Sequence, residues 1–318
     1  MLISVIVPVF NEEDGIARLA ERLSAVLGST GYEYEIVVVD DGSVDSTLGL
    51  LENWQEIDKR LVIVKLSRNW GHQSAFNAGL DVAKGDAIIF MDGDLEDPPE
   101  LIPELIKSWE EGFDTVYTVK RTREQENVRR VLTNIYYCLI KRFLTLSIEP
   151  QAGMFSLVDK KVADVLRLMK ESNKSYPNLR TFSGFRQKGI NYDREPRYAG
   201  RPKQTIKRLL ADGLNALFSN TYIPIRIFTL VGVFFSLLFI VVGFIVITVR
   251  VTGIEFWIFR SIPGTQLILL SVLTFGALQM TFLGVLGEYI ARIYEESKGR
   301  PYYVIENVQR SSEAEMRR

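Results

Sequence analysis

A chain of 318 residues that is 47% hydrophobic, with a mean hydropathy of +0.07, is long enough for one large domain plus an addition of another kind. Its net charge of −1 gives no electrostatic case for nucleic acid. The single cysteine, Cys138, excludes an intrachain disulfide, and the single histidine, His72, excludes a multi-histidine metal site.

The first apolar run, residues 2–10, is short, lacks a basic leader and meets Pro8 and Asn11-Glu12-Glu13, which predicts a strand and not a signal peptide. Up to about residue 119, short apolar runs (3–9, 36–39, 61–66, 87–91 and 115–119) alternate with helical patterns such as 15–27 and 47–54. Alternation of this kind predicts an α/β fold, a mostly parallel sheet with helices on both faces. Ligands of such sheets sit beyond the carboxyl ends of the strands. Polar clusters fall at those ends: Asn11-Glu12-Glu13, Asp40-Asp41-Gly42-Ser43, Ser67-Arg68-Asn69 and Asp92-Gly93-Asp94. Each alone is an ordinary cap or turn. Four in succession at one edge read as a site.

The run 87–91 delivers Asp92 and Asp94 into one small volume, with Gly93 letting the backbone bend between them. Two like charges so close call for a cation, and Mg²⁺ or Mn²⁺, which keep positions open for substrate phosphates, suit oxygen ligands. Asp40 and Asp41 are suited to accept hydrogen bonds from a ribose or a base imide, and Arg68 to meet a phosphate. A sugar nucleotide satisfies all of these. There is no Gly-x-x-x-x-Gly-Lys-Ser/Thr loop, and no Gly-x-Gly-x-x-Gly follows the first strand, so ATP-type and dinucleotide sites lose support.

Residues 120–200 carry cations. Arg121 leaves a strand end beside the metal and reads as functional, whereas Arg123 and Arg129 read as a solvated face. Asp159, before Lys160-Lys161-Val162, fits both a helix N-cap and a catalytic base. Arg194 and Arg197 stand with Tyr192 and Tyr198, a combination that suits an anionic lipid head group. Residues 205–222 alternate Ile206, Leu209, Leu210, Leu214, Leu217 and Phe218 with Lys207, Arg208 and Asp212 at helical spacing, which fits an interfacial amphipathic helix or one packed on the soluble domain.

Residues 227–249 and 265–286 are uncharged runs, each long enough at ~1.5 Å per residue to cross a hydrocarbon core of roughly 30 Å. They predict a two-helix transmembrane hairpin. Lys203, Lys207, Arg208 and Arg226 precede it and Arg292, Lys298 and Arg300 follow it, against Arg250 and Arg260 between, so both termini are expected in the cytoplasm. Gly232, Gly243, Gly276 and Ala277 would let these helices self-associate into a homo-oligomer. The expected organisation is a catalytic domain over 1–203, an interfacial helix over 204–223, the hairpin over 224–289 and a cytoplasmic tail over 290–318.

Taken together, Val7-Pro8-Val9-Phe10-Asn11-Glu12-Glu13, Val39-Asp40-Asp41-Gly42-Ser43, Arg68-Asn69-x-Gly71, Asn77-Ala78-Gly79 and Asp92-Gly93-Asp94-Leu95-Glu96-Asp97-Pro98-Pro99 resemble family 2 glycosyltransferases of GT-A fold. More narrowly they are similar to polyprenyl-phosphate glycosyltransferases, the group of dolichol-phosphate mannose synthases and GtrB-type bactoprenol glucosyltransferases, the latter also in the hairpin. The resemblance implies that Pro8, Asn11, Glu12, Asp40, Asp41, Arg68 and Asp92 line the nucleotide-sugar pocket. It also implies that Asp92, Asp94 and Glu96, the last where relatives often carry Gln, surround the metal, and that Arg121, Arg194 and Arg197 receive the acceptor phosphate. The Gly-x-Phe-Arg-Leu run of many relatives reads Gly153-Met154-Phe155-Ser156-Leu157 here, without its Arg. The expected reaction is inverting transfer of a hexose to polyprenyl phosphate at the cytoplasmic face of a bacterial inner membrane. Glucose from UDP-glucose is preferred, with mannose from GDP-mannose or a non-catalytic membrane scaffold as alternatives. Asp94, Arg121 and Asp159 are the expected catalytic residues.

Overall fold

The structure, a computed structural model, describes residues 1–120, 152–169, 176–192, 223–252 and 264–311. It divides into two compact units, residues 1–202 with 301–318, and residues 203–300.

In the first unit β1 (Leu2–Val9), β2 (Glu33–Asp40), β3 (Leu61–Leu66), β4 (Ala87–Phe90), β5 (Thr115–Lys120), β6 (Ala152–Asp159), β7 (Gln187–Tyr192) and β8 (Ile305–Gln309) form one sheet in the order β7-β5-β6-β4-β1-β2-β3-β8. β1 runs parallel to β2 and β4, and β2 to β3. β6 is antiparallel to both β4 and β5, while β7 is parallel to β5. Successive side chains of a strand point to opposite faces, and here both faces are covered. Val5, Val7, Ile36 and Val38 pack on one side with α1 (Ile16–Ser29), α2 (Thr47–Ile57) and α4 (Ile102–Glu110). Ile6, Val37 and Val39 pack on the other with α3 (His72–Val82), α5 (Lys160–Leu168) and α6 (Tyr176–Phe182). The strands therefore read as unbroken apolar runs. The helices read as stripes: Ile16, Leu19, Leu23 and Leu27 of α1 recur every three or four residues and are all buried. Each such side chain contributes about 1.5–3 kcal/mol of burial.

The segment over 290–318, expected as a tail, contributes β8, which adds antiparallel to β3 at the sheet edge. Arg310 then reaches the buried Glu35 at 3.2 Å and donates to the Val82 carbonyl at 2.7 Å.

The second unit contains α7 (Ile223–Thr252) and α8 (Gly264–Ser297). The Phe228 ring meets Phe282 at 6.3 Å and Phe239 meets Phe275 at 4.5 Å, so the two helices lie side by side and antiparallel. Among the described residues one helical stretch, Ser271–Ser297, is long and apolar enough to cross a membrane, and Phe228–Val241 is a shorter apolar stretch. The expected interfacial helix over 204–223 lies, apart from its last residue, outside the described residues.

Candidate active site

The carboxyl ends of β1, β2, β3 and β4 open on one edge of the sheet, and close backbone approaches draw their loops together. Gly93 lies against the end of β1, where an added Cβ would stand 2.9 Å from Val9 Cγ1 and 3.0 Å from the Pro8 carbonyl oxygen. Gly42, at φ +73°, lies against Arg68, where a Cβ would come within 2.5 Å of backbone carbon. Asn11, itself at φ +51°, donates its N–H to Ser43 Oγ at 3.0 Å and accepts from the Val44 N–H at 2.9 Å. The Glu12 N–H reaches Thr47 Oγ1 at 3.0 Å. Pro8, Asn11, Glu12, Asp40, Asp41, Arg68, Asp92 and Asp94 thus gather along one edge.

Their roles separate once hydrogen bonds are assigned. Asp40 is wholly buried; its Oδ1 accepts from the Ser43 N–H at 3.0 Å, and among the described residues Oδ2 has no partner. A buried acceptor without a donor is costly, which makes Oδ2 a candidate for a donor that the described residues do not supply. Asp41, also expected to line the nucleotide pocket, braces the next loop. Its two oxygens accept the N–H groups of Trp70 at 2.7 Å and Gly71 at 2.9 Å, and burial pushes its carboxyl above the usual range. Arg68 lays its guanidinium over the Trp70 ring at 3.9 Å, which fixes its direction.

Asp92 and Asp94 are half-buried. Asp94 Oδ1 accepts from the Glu96 N–H at 3.1 Å, and Leu95 between them takes φ +58°. Among the described residues no three acidic, His or Cys side chains form a group that could hold a metal, the expected Asp92/Asp94/Glu96 set included. Two hard carboxylates suit Mg²⁺ or Mn²⁺ when a diphosphate and water supply the other oxygens, and in that sense the residues fit such an ion.

Asp159 is a correction. It pairs with Ala87 at the start of β4, because β6 runs antiparallel, and so stands at the opposite edge from Asp92. Five residues at ~3.3 Å each put about 16 Å between them. Its Oδ1 accepts from the Lys161 N–H at 3.0 Å, capping α5, and its Oδ2 accepts from Trp109 Nε1 at 2.9 Å. It is an N-cap and not a catalytic base. Arg121, Arg194 and Arg197 lie outside the described residues.

Two residues emerge that sequence reasoning missed. His72, set aside as a lone histidine, brings Nε2 to 2.7 Å from Asp92 Oδ1. Burial lowers the affinity of its ring for a proton, but the Asp92 hydrogen bond and the charges of Asp92, Asp94 and Asp41 outweigh it and raise its pKa. The signal available was its place one residue beyond Gly71, at the start of a helix opening on the site. The other is Arg180, fully buried, with Nη2 donating to the Gly153 carbonyl at 3.0 Å; burial brings its guanidinium down to about 10.

A parallel core extended by antiparallel strands, with carboxylates on the loops at the carboxyl ends, puts the candidate site where the ligands of α/β sheets bind. Residues 4–167 match glycosyl transferase family 2, and the chain belongs to that family and is a glycosyltransferase. It is 36% identical over 308 residues, 96% of this chain and 95% of the relative, to "uncharacterized glycosyltransferase sll0501" of Synechocystis sp.. It is 35% identical over 309 residues, 96% of this chain and 99% of the relative, to the bactoprenol glucosyl transferase of Shigella phage SfV. Among solved structures, glucosyl-3-phosphoglycerate synthase from Mycobacterium tuberculosis in complex with phosphoglyceric acid shares the fold, with a TM-score of 0.52 at 19% identity over 68% of this chain and 78% of that one.

Proposed function

We propose that this chain transfers a hexose, glucose from UDP-glucose by preference, to undecaprenyl or a related polyprenyl phosphate, with inversion, at the cytoplasmic face of a membrane that α7 and α8 span. The observation that carries the reading is the conjunction, on one sheet edge, of the orphan acceptor Asp40 Oδ2 with the Asp92/Asp94 pair. End-to-end likeness to a bactoprenol glucosyl transferase supports the acceptor class.

In this reading Asp40 Oδ2 receives the imide N–H of the base, which uracil offers, and Arg68, aimed by Trp70, meets the diphosphate. Asp92 and Asp94 would hold Mg²⁺ or Mn²⁺, which when bound neutralises charge developing on the leaving diphosphate. The acceptor is a phosphate monoester with a second pKa near ~6, already ionised at neutral pH and itself the nucleophile. A strong protein base is therefore dispensable, in keeping with Asp159 standing at the far edge. Arg121, Arg194 and Arg197 are proposed to align the acceptor phosphate by family resemblance. The apolar surface of both helices supports insertion, and the basic residues flanking them support a cytoplasmic catalytic unit.

The test is transfer of label from a panel of nucleotide sugars into organic-extractable lipid, with purified protein, undecaprenyl phosphate and either Mg²⁺ or EDTA. Metal-dependent label from UDP-glucose is expected; label from GDP-mannose alone changes the donor. Asp94→Asn is expected to fold normally and lose on the order of 10³-fold in metal-dependent turnover, the equivalent of several kcal/mol. A fully active Asp94→Asn overturns the reading.

A further inference from the structure

We propose that His72 is the positioning residue of the metal site, fixing the Asp92 carboxylate in the orientation from which it can ligate a divalent cation. The inference rests on the reading that Asp92 and Asp94 hold that cation.

Asp92 stands just past the last strand pairing of β4, which ends at Phe90 with a further Met91 N–H to Ile6 carbonyl bond at 3.1 Å. The ladder therefore does not set its side-chain direction, and a ligating carboxylate must be held within ~0.5 Å and 10–20° to serve. His72 supplies such a constraint. Asp41 takes the N–H groups of Trp70 and Gly71, Gly71 turns the chain at φ +94°, and α3 begins at His72. One turn along the same helix face, Phe76 meets the imidazole edge-on, with centroids 4.8 Å apart at 86°. Phe76 is itself fully buried against Phe90 and Tyr176. The imidazole is thus braced from below by a packed aromatic group whose Phe90 belongs to the same strand end as Asp92. From that brace its Nε2 meets Asp92 Oδ1 at 2.7 Å.

The residue type fits the task. With hydrogen on Nε2, imidazole donates a directional hydrogen bond from a short, rigid ring, which fixes the carboxylate more tightly than a long flexible lysine would. Partners that hydrogen-bond a ligating carboxylate typically alter metal affinity by 10–100-fold when removed.

The experiment uses the full-length protein in detergent, with Mn²⁺ binding read by loss of the free-ion EPR signal at saturating UDP. UDP affinity in EDTA serves as the readout that a merely structural role would move. His72→Ala is expected to weaken Mn²⁺ binding by roughly 10–100-fold while leaving UDP affinity in EDTA unchanged. His72→Gln, which places an N–H near the position of Nε2, is expected to recover most of the loss. The proposal is overturned by wild-type Mn²⁺ affinity in His72→Ala, by a His72→Gln no better than the alanine variant, or by a parallel fall in metal-free UDP affinity. Asp94→Asn separates the underlying reading: if that variant binds Mn²⁺ as tightly as wild type, or if the wild type binds none, the metal site itself is misplaced and the role of His72 falls with it.

Discussion

The two units use the same residue types to opposite ends. In the sheet unit Val5, Ile36 and Leu51 are wholly buried, whereas in the helical unit Leu230, Phe244 and Met280 are 69%, 71% and 72% exposed. A sheet strand has two faces and covers both with helices; α7 and α8 meet through Phe228–Phe282 and Phe239–Phe275, and many of their described apolar side chains are exposed. The difference teaches that the first unit covers its own apolar side chains whereas the second leaves many of its described ones exposed, which the proposed bilayer would cover. A charge placed in each unit tests this most severely. Ile36→Asp buries an unpaired carboxylate between two helix layers and is expected to cost more than about 4 kcal/mol, unfolding the sheet unit. Ile240→Asp, near the middle of the apolar run 227–249, is expected to leave the melting midpoint of the sheet unit unchanged and instead to lower recovery in the membrane fraction, at about 2.5–3.5 kcal/mol for an acid near the bilayer centre. Equal melting losses from both would erase the distinction.

A milder pair of substitutions sharpens the same contrast through packing alone. A Cβ on Gly79 of α3 would stand 2.3 Å from Ile6 Cγ2 and 3.1 Å from Val39 Cγ2, whereas one on Gly232 of α7 meets nothing within 4 Å. Gly79→Ala is expected to destabilise the sheet unit by roughly 1–3 kcal/mol, since a close-packed core must shift to admit it. Gly232→Ala is expected to be neutral or to favour the helix by up to about 1 kcal/mol. Thermal unfolding in detergent, followed by near-UV dichroism for the sheet unit and far-UV for the helices, reads both. A destabilising Gly232→Ala would instead place a close neighbour on that face, as self-association of the helices requires.

How far the sequence foretold this arrangement depends on whether a signal is local. β1 to β5, α1 and α2 were legible because strands buried on both faces leave apolar runs and helices leave stripes. β8 was not: Ile-Glu-Asn-Val-Gln is half-polar because it lies at an edge, and its partner β3 is some 240 residues earlier. Within the site, Asp40, Asp92 and Asp94 were legible as carboxylates at strand ends. The division of labour between Asp40 and Asp41 was not, because it depends on which oxygen meets the Trp70 and Gly71 amides. Asp159 was misassigned for a topological reason: an apolar run gives no direction, and the reversal of β6 sends its last residue to the wrong edge. His72 escaped because its meaning lies in a contact across 20 residues with Asp92.

The smallest effect is expected on the surface of the sheet unit. Arg22 of α1 donates from Nε and Nη2 to the two oxygens of Glu100 at 2.9 and 2.6 Å, tying that helix to the turn that closes the Asp-Gly-Asp loop. The Arg22 hydrogen bond is the main reason the Glu100 carboxyl is held below its ordinary 4.5. A lowered carboxylate pKa contributes stability above the unfolded value and loses it as pH falls through the folded one. Half of the Glu100 side chain is exposed, so water screens the pair and the contribution is about 0.5 kcal/mol. Glu100→Gln is expected to lower the melting midpoint slightly at pH 7 and to converge on wild type as pH falls through the lowered folded pKa, below which both states carry a protonated acid. A gap that persists in acid would mean that Glu100 acts by shape and not by charge, and that the loop bearing Asp92 and Asp94 is anchored to α1 by packing alone.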